Sequence, residues 1–343
     1  MDPISLPPEA APLLTPLALP ELDEPSGDAG GRFDMLHRLA FGLLLLALAL
    51  TLLAPAALSA REKRKPEPIA PVLPVPPPTP QALALLDAAI ADGRLPDARN
   101  LIAPMWASGT PDVLLRGAEL ALAGDSLPEA AEAFTGLLDG PLAARAKQGL
   151  GITWLRQGHD SEAKAMLEQA VAADPGLARA WNALGVLADK ARDWTTADAA
   201  YAKAVAAAPQ DGTILANRGW SQLLRGHHVA AERDLVAALK LQPGLKMART
   251  NLALARAMQG RYQEAFVLSD KTTLASDLNT VGYAAMTRGD LAIAEAYFNR
   301  ALSLNPQFDR TAWANLQYLA ELKAQKLREP TGGPVAPQRD GPR

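Results

Sequence analysis

Cysteine is absent from the chain, which excludes disulfides, thiolate metal sites, cysteine nucleophiles and a lipidated lipoprotein cysteine. Aromatic residues make up only 5%, and neither sign of charge dominates: 34 Lys and Arg stand against 37 Asp and Glu, for a net charge of −3. With a pI near 5.9 there is no electrostatic footprint for nucleic acid. Catalytic signatures are missing too. No GxxxxGK followed by Ser or Thr, no GxSxG and no HExxH occurs, so the chain reads as a non-enzyme without a cofactor. What is abundant is apolar residue, 49% of 343, rich in Ala and Leu. That share supplies a packed core and rules out a wholly disordered chain. Ala and Leu lose little rotamer freedom in a helix, so the core is expected to be helical.

Proline is distributed unevenly, with 16 of the 29 in residues 1–80. Residues 1–34 carry seven prolines and seven acids against a single Arg32, a composition expected to stay a flexible acidic tail. Residues 39–60, LAFGLLLLALALTLLAPAALSA, run for 22 residues without a charge, long enough to cross roughly 30 Å of hydrocarbon. They read as a transmembrane helix or, taken from Met35, as a secretory signal with a basic start and an Ala57-Leu58-Ser59 end. REKRK (61–65) and a proline-rich stretch then form a stalk over 61–78. Cues for sidedness conflict. Arg61, Lys63, Arg64 and Lys65 after the span would hold the following domain in the cytoplasm. The signal-like start and the stalk favour the periplasm instead. The expectation is a bacterial inner-membrane, single-pass protein with its domain in the periplasm, exported and cleaved if Met35 is the true start.

From residue 79 the sequence becomes periodic. Gly117, Gly151, Gly185 and Gly219 are 34 apart, and the series continues through Ala253 to Gly282; Pro141, Pro175, Pro209 and Pro243 keep the same period. A second glycine follows seven residues after the first at Gly124, Gly158, Gly226, Gly260 and Gly289, and a small residue recurs at Ala163, Ala197, Ala231, Ala265 and Ala294. The clearest unit, 178–211, adds Trp181, Leu184, Tyr201, Ala204 and Pro209. This pattern resembles the tetratricopeptide repeat (TPR). The resemblance implies an all-α, right-handed superhelical solenoid of about seven helix hairpins over 79–326, ending in a capping helix at 309–326 and a disordered tail at 327–343. Units 79–109 and 110–143 are degenerate, the latter with an extra residue near Leu127-Pro128. Unit 246–274 loses its tail and its proline, so a short or irregular second helix is expected there.

Residues 177–265 resemble a narrower family, the TPR protein of bacterial Flp/Tad pilus assembly, whose short unit, an NLALA-type helix followed by GR-x-x-EA and a truncated tail, looks like residues 251–274. That resemblance implies a membrane-associated scaffold for protein–protein interactions in assembling a pilus or secretion apparatus. Members of the family are usually exported lipoproteins, and this chain lacks the cysteine. The alternative is a cytoplasm-facing adaptor that tethers a regulatory or biosynthetic enzyme to the inner membrane.

Repeats of this kind line a concave groove with their first helices and take a peptide or partner helix there. The ninth residues of successive units are Ile152, Val186, Trp220, Leu254 and Tyr283, expected to form one apolar stripe flanked by Arg145 and Arg179. The fifth residues, Gln148 and Asn182, complete the groove candidates, and with Ile152 and Val186 they lack the Lys and Asn set of a carboxylate clamp. Other motifs read as structural. Ser161 and Lys164 have Ser-x-x-Lys spacing but straddle the landmark Ala163, which places them on a solvated helix face. His227 and His228, like His159, fall in turns, with His37 the only other histidine, so no metal site is expected. Gly149-Leu150-Gly151 has no strand before it and belongs to the repeat rather than to a phosphate loop.

Overall fold

A computed structural model of the protein describes residues 77–304 and 310–328. The acidic tail, the apolar run of 39–60, the stalk up to residue 76 and residues 329–343 lie outside the described residues, so the expectations for them rest on the sequence alone. The chain divides into two units at Pro77–Pro78, and every described helix belongs to the second.

Those helices come in pairs: α1 (Pro80–Ala91) with α2 (Leu95–Ile102), then a 3-10 turn (Ala103–Ser108), and α3 (Pro111–Ala123) with α4 (Leu127–Thr135). Three regular pairs come next, α5 (Ala143–Gln157) with α6 (Asp160–Ala173), α7 (Ala178–Lys190) with α8 (Trp194–Ala207), and α9 (Gly212–Leu224) with α10 (His228–Leu241). Then come α11 (Lys246–Met258) with α12 (Tyr262–Ala265), α13 (Leu274–Arg288) with α14 (Leu291–Leu304), and a last helix α15 (Arg310–Arg328). No strand occurs among the described residues, and none of their helices is long and apolar enough to cross a membrane. Each helix touches only helices one or two places along the chain. Stability is then a sum over hairpins and their nearest-neighbour interfaces, which is what makes the stack a solenoid.

The 34-residue landmarks are steric. A Cβ at Gly151 would lie 2.6 Å from Leu167, at Gly185 2.8 Å from the Tyr201 ring, at Gly219 2.9 Å from Leu235 and at Gly282 2.7 Å from Phe298. In each case the first helix lacks a side chain so that a large residue sixteen positions later, on the second helix, can seat against its backbone. Those four large residues are buried, as are Ala163, Ala197, Ala231 and Ala294, where the paired helices meet. Gly149 is likewise packed, its would-be Cβ 2.2 Å from Phe134.

The second glycines end the first helices in the left-handed region, as at Gly158 (φ 83°) and Gly289 (φ 87°), a conformation that costs a Cβ-bearing residue about 1–2 kcal/mol. Gly124 is a correction to that series. Its φ is −85°, and the left-handed residue is Asp125 (φ 62°), one place later, as the inserted residue in that unit requires. In unit 178–211 the same position is held by Arg192 (φ 57°). Cations near the ends of first helices reach back to the preceding unit: Arg156 donates to the Leu122 carbonyl at 2.7 Å and pairs with Asp125, and Arg288 donates to the Met258 carbonyl at 2.8 Å. Both meet the negative end of a helix dipole.

Unit 246–274 departs as expected. Its second helix is the four residues of α12, after which the chain returns irregularly to α13. At the far end α15 lays Ala312 and Leu319 onto the stack, with Leu319 joining Met286 and Phe298 in one apolar cluster.

Candidate interaction surface

The five ninth-position residues, one on each first helix from α5 to α13, share one environment. Ile152, Val186, Trp220, Leu254 and Tyr283 are all half-buried. Four of them are visibly anchored on one side: Ile152 against the cores of two adjacent hairpins, Val186 beside Tyr201, Leu254 beside Ala253 and Val281, Tyr283 beside Met286 and Phe298. Burial is the main cause that pushes the Tyr283 phenol above its ordinary pKa, with Tyr318 of α15 nearby adding to it. Side chains one turn further on extend the row. Leu224 is 40% exposed and Met258 half-buried, at i+4 from Trp220 and Leu254. They too stand 34 apart, a signal that counting only ninth residues passes over.

The polar candidates divide. Arg179 is exposed. Arg145 is half-buried and donates to Glu119 of α3 at 2.9 Å, so its charge is spent on the neighbouring unit. Gln148 is not a groove residue: it is buried, and its Oε1 accepts the Ala180 N–H at 3.0 Å, satisfying a donor at the start of α7. Asn182 accepts from Asn217 Nδ2 at 3.1 Å, and Asn279 accepts from Asn315 at 3.0 Å, so amides tie successive first helices together. The partner Asn217 recurs 34 residues later as Asn251, again legible in the sequence.

Between α7–α8 and α9 the seam is polar. Asp189 is buried and accepts from the Tyr201 hydroxyl at 2.8 Å and the Ser221 hydroxyl at 2.6 Å. Arg225 lies over this group and makes a bidentate pair with Asp198 at 2.9 and 2.7 Å. Burial raises the Asp189 carboxyl above the usual carboxylate range, against the two hydroxyls and Arg225, which favour its charge.

On the second-helix side a trench of about 920 Å³ runs between α6 and α8 with α7 as its floor. On its α8 wall stands Ala200, where α6, 34 residues earlier, carries Met166. Leu184 and Leu187 form the floor, Trp181 one end with Lys203 Nζ 4.0 Å above its ring, and the Lys190–Asp160 pair (2.6 Å) the other. Ser161 and Lys164 sit exposed on its rim, and the Lys164 ammonium faces Glu168 at 3.9 Å. His227 precedes α10 and hydrogen-bonds Gln222 at 2.9 Å, while burial lowers the pKa of half-buried His228. Among the described residues no group of three or more His, Asp or Glu is placed to hold a metal ion.

Family models named tetratricopeptide repeat match residues 150–212, 216–270 and 278–308. The chain carries tetratricopeptide repeats. The TPR units so matched include all five stripe residues. Among solved structures, the APC/C hetero-tetramer Cut9–Hcn1 superposes with a TM-score of 0.54 at 16% identity, over 69% of this chain and 48% of that one. The chain thus spans about half the length of that structure, and the likeness is one of fold. PilF of Pseudomonas aeruginosa (TM-score 0.40, 21% identity, 53% of this chain and 85% of that one) and PilW, a type IV pilus biogenesis factor (0.42, 20%, 56% and 96%), are looser TPR neighbours. No curated protein matches the sequence.

Proposed function

We propose that this TPR protein is a protein-interaction scaffold whose first-helix face docks an extended peptide or a partner helix. The observation that carries the reading is the common half-buried state of Ile152, Val186, Trp220, Leu254 and Tyr283, repeated over five consecutive units. A row of this kind offers rigid apolar anchors at low entropic cost, with Trp220 as the residue that dominates binding. We place the scaffold in assembly of a bacterial pilus or secretion apparatus, held at the inner membrane by residues 39–60 with its repeats in the periplasm. Support for this comes from the Flp/Tad resemblance over 177–265 and from the apolar run and stalk that precede the repeats.

Photo-crosslinkers at Trp220, Leu254 and, as a comparison, Ala199 in the trench test the surface in native membranes. Capture of one partner at the first two positions and not at the third is expected; capture at Ala199 alone refutes the stripe. Trp220→Ala should weaken that partner by about 2 kcal/mol or more and leave the melt nearly unchanged; a loss of folding stability of about 3–5 kcal/mol would instead make it a core residue. The basic run at 61–65 favours the second reading, the cytoplasmic adaptor. A phosphatase fusion after residue 80 separates the two, being active only for the periplasmic arrangement.

A further inference from the structure

The truncated unit is also a vacated one. Counting from each unit's start, the twenty-fourth residue is Leu167, Tyr201, Leu235 and Phe298 in four units, and each is buried. In unit 246–274 the same count falls on Ser269, and the first-helix landmark opposite it is Ala253 instead of glycine. With no large side chain to seat and no second helix beyond Ala265, a cavity of about 200 Å³ remains between the first turns of α11 and α13.

Its lining is unlike that of any packed slot. Ala253, Ala265 and Leu268 give it an apolar wall, while Asp277, 8% exposed, opens onto it without a side-chain hydrogen-bond or ion-pair partner among the described residues. The Ser269 hydroxyl is buried in the same lining and has no partner either. The start of α13 favours a charged carboxylate at Asp277, and no side chain among the described residues engages it directly. Lys246 and Arg249 of α11 also line the cavity; neither makes a salt bridge within 4 Å among the described residues, and Arg249 acts at longer range on Asp270.

We infer that this cavity binds lysine chemistry: an aliphatic stem ending in a primary ammonium, with a carboxylate near its base. The stem lies along Ala253, Ala265 and Leu268, as lysine stems cover apolar surface elsewhere. Its ammonium donates to the Asp277 carboxylate, which no side chain of the described residues engages directly, and to Ser269 Oγ. The carboxylate engages Lys246 and Arg249. Free lysine supplies this set, and so does a lysine beside an acidic residue in a partner polypeptide. The site is independent of the apolar stripe, so either can fail alone.

Calorimetric titration of the full-length protein with L-lysine and with the blocked dipeptide acetyl-Glu-Lys-amide tests it, with norleucine and acetyl-Glu-Gln-amide as controls that lack the ammonium. Saturable binding of L-lysine or of the Lys dipeptide is expected, with the controls at least tenfold weaker; whichever binds more tightly identifies the source. Asp277→Asn should abolish that preference while the circular dichroism spectrum and melt stay as in the parent. Lys246→Ala with Arg249→Ala should weaken binding at least tenfold and leave the ammonium preference intact. No saturable binding by either ligand, equal binding of the controls, or full binding by Asp277→Asn would overturn the inference.

Discussion

Units 178–211 and 246–274 open in the same register and end differently, after 34 and 29 residues. In the first, Gly185 admits the Tyr201 ring, α8 runs for 14 residues and the slot is filled. In the second, alanine replaces the glycine, serine replaces the large residue, the second helix stops after four residues and a cavity remains. Two positions far apart in sequence thus change together within one molecule. The landmark glycine answers a particular side chain opposite it and carries no conformational duty of its own. Where that side chain is gone, a Cβ is admitted.

The comparison breaks most violently at its filled slot. Tyr201→Ala should cost about 3–5 kcal/mol, since it empties the slot and takes the donor from Asp189 Oδ2, whereas Ser269→Ala should stay within about 0.5 kcal/mol; chemical denaturation of both variants reads the contrast. Equal losses would show that the vacated unit is packed as tightly as the regular one. Next in size is Gly185→Ala. The added Cβ meets the ring at 2.8 Å, and after the gain in helix propensity a net loss of about 1–2 kcal/mol is expected. The reverse change, Ala253→Gly, should cost only the propensity, about 1 kcal/mol.

A pH scan sharpens the contrast between filled and vacated units. Asp189 has its pKa raised by burial, so its folded form binds a proton more readily than its unfolded form. The stability it contributes is therefore full below about pH 4 and is lost as pH rises through the raised folded value. Asp189→Asn should flatten that slope in melts taken between about pH 3.5 and 7; an unchanged slope would assign it to other carboxyls. The smallest expected effect lies at Arg192, exposed and left-handed. Arg192→Gly should gain about 0.5–1 kcal/mol. Asp125→Gly should gain nothing, because Asp125 Oδ1 pairs with Arg156 at 2.6 Å.

Much of the solenoid can be read without coordinates because its landmarks are contacts between backbone and side chain at a fixed separation, which leave a regular trace in the sequence. The hairpins and the shortened α12 come from that trace; the final helix lies beyond its last landmark. Its failures are local. An inserted residue moves the left-handed position from Gly124 to Asp125, and a period cannot register a shift of one. Gln148 shares its position with Asn182, yet it turns inward to cap α7, because the donor it satisfies belongs to a different unit. The row of half-buried ninth residues can be counted in the sequence, while Leu224, Met258 and the Asn217 amide need the same 34-residue count applied elsewhere on the helix. The cavity at Ser269 is written in the sequence as well, but only as a pair of exceptions, and it takes shape only with the chain's irregular return after Ala265.

That each helix touches only its near neighbours also bears on how the stack would behave under pull. Tension applied between Pro80 and Arg328 would pass through every hairpin in series, with no long-range strand or strut among the described residues to share it. Rupture would then proceed one hairpin at a time. Unit 246–274, with a second helix of only four residues, is a weak link inside the array. In an optical trap an early extension step at that link would split the array into two springs.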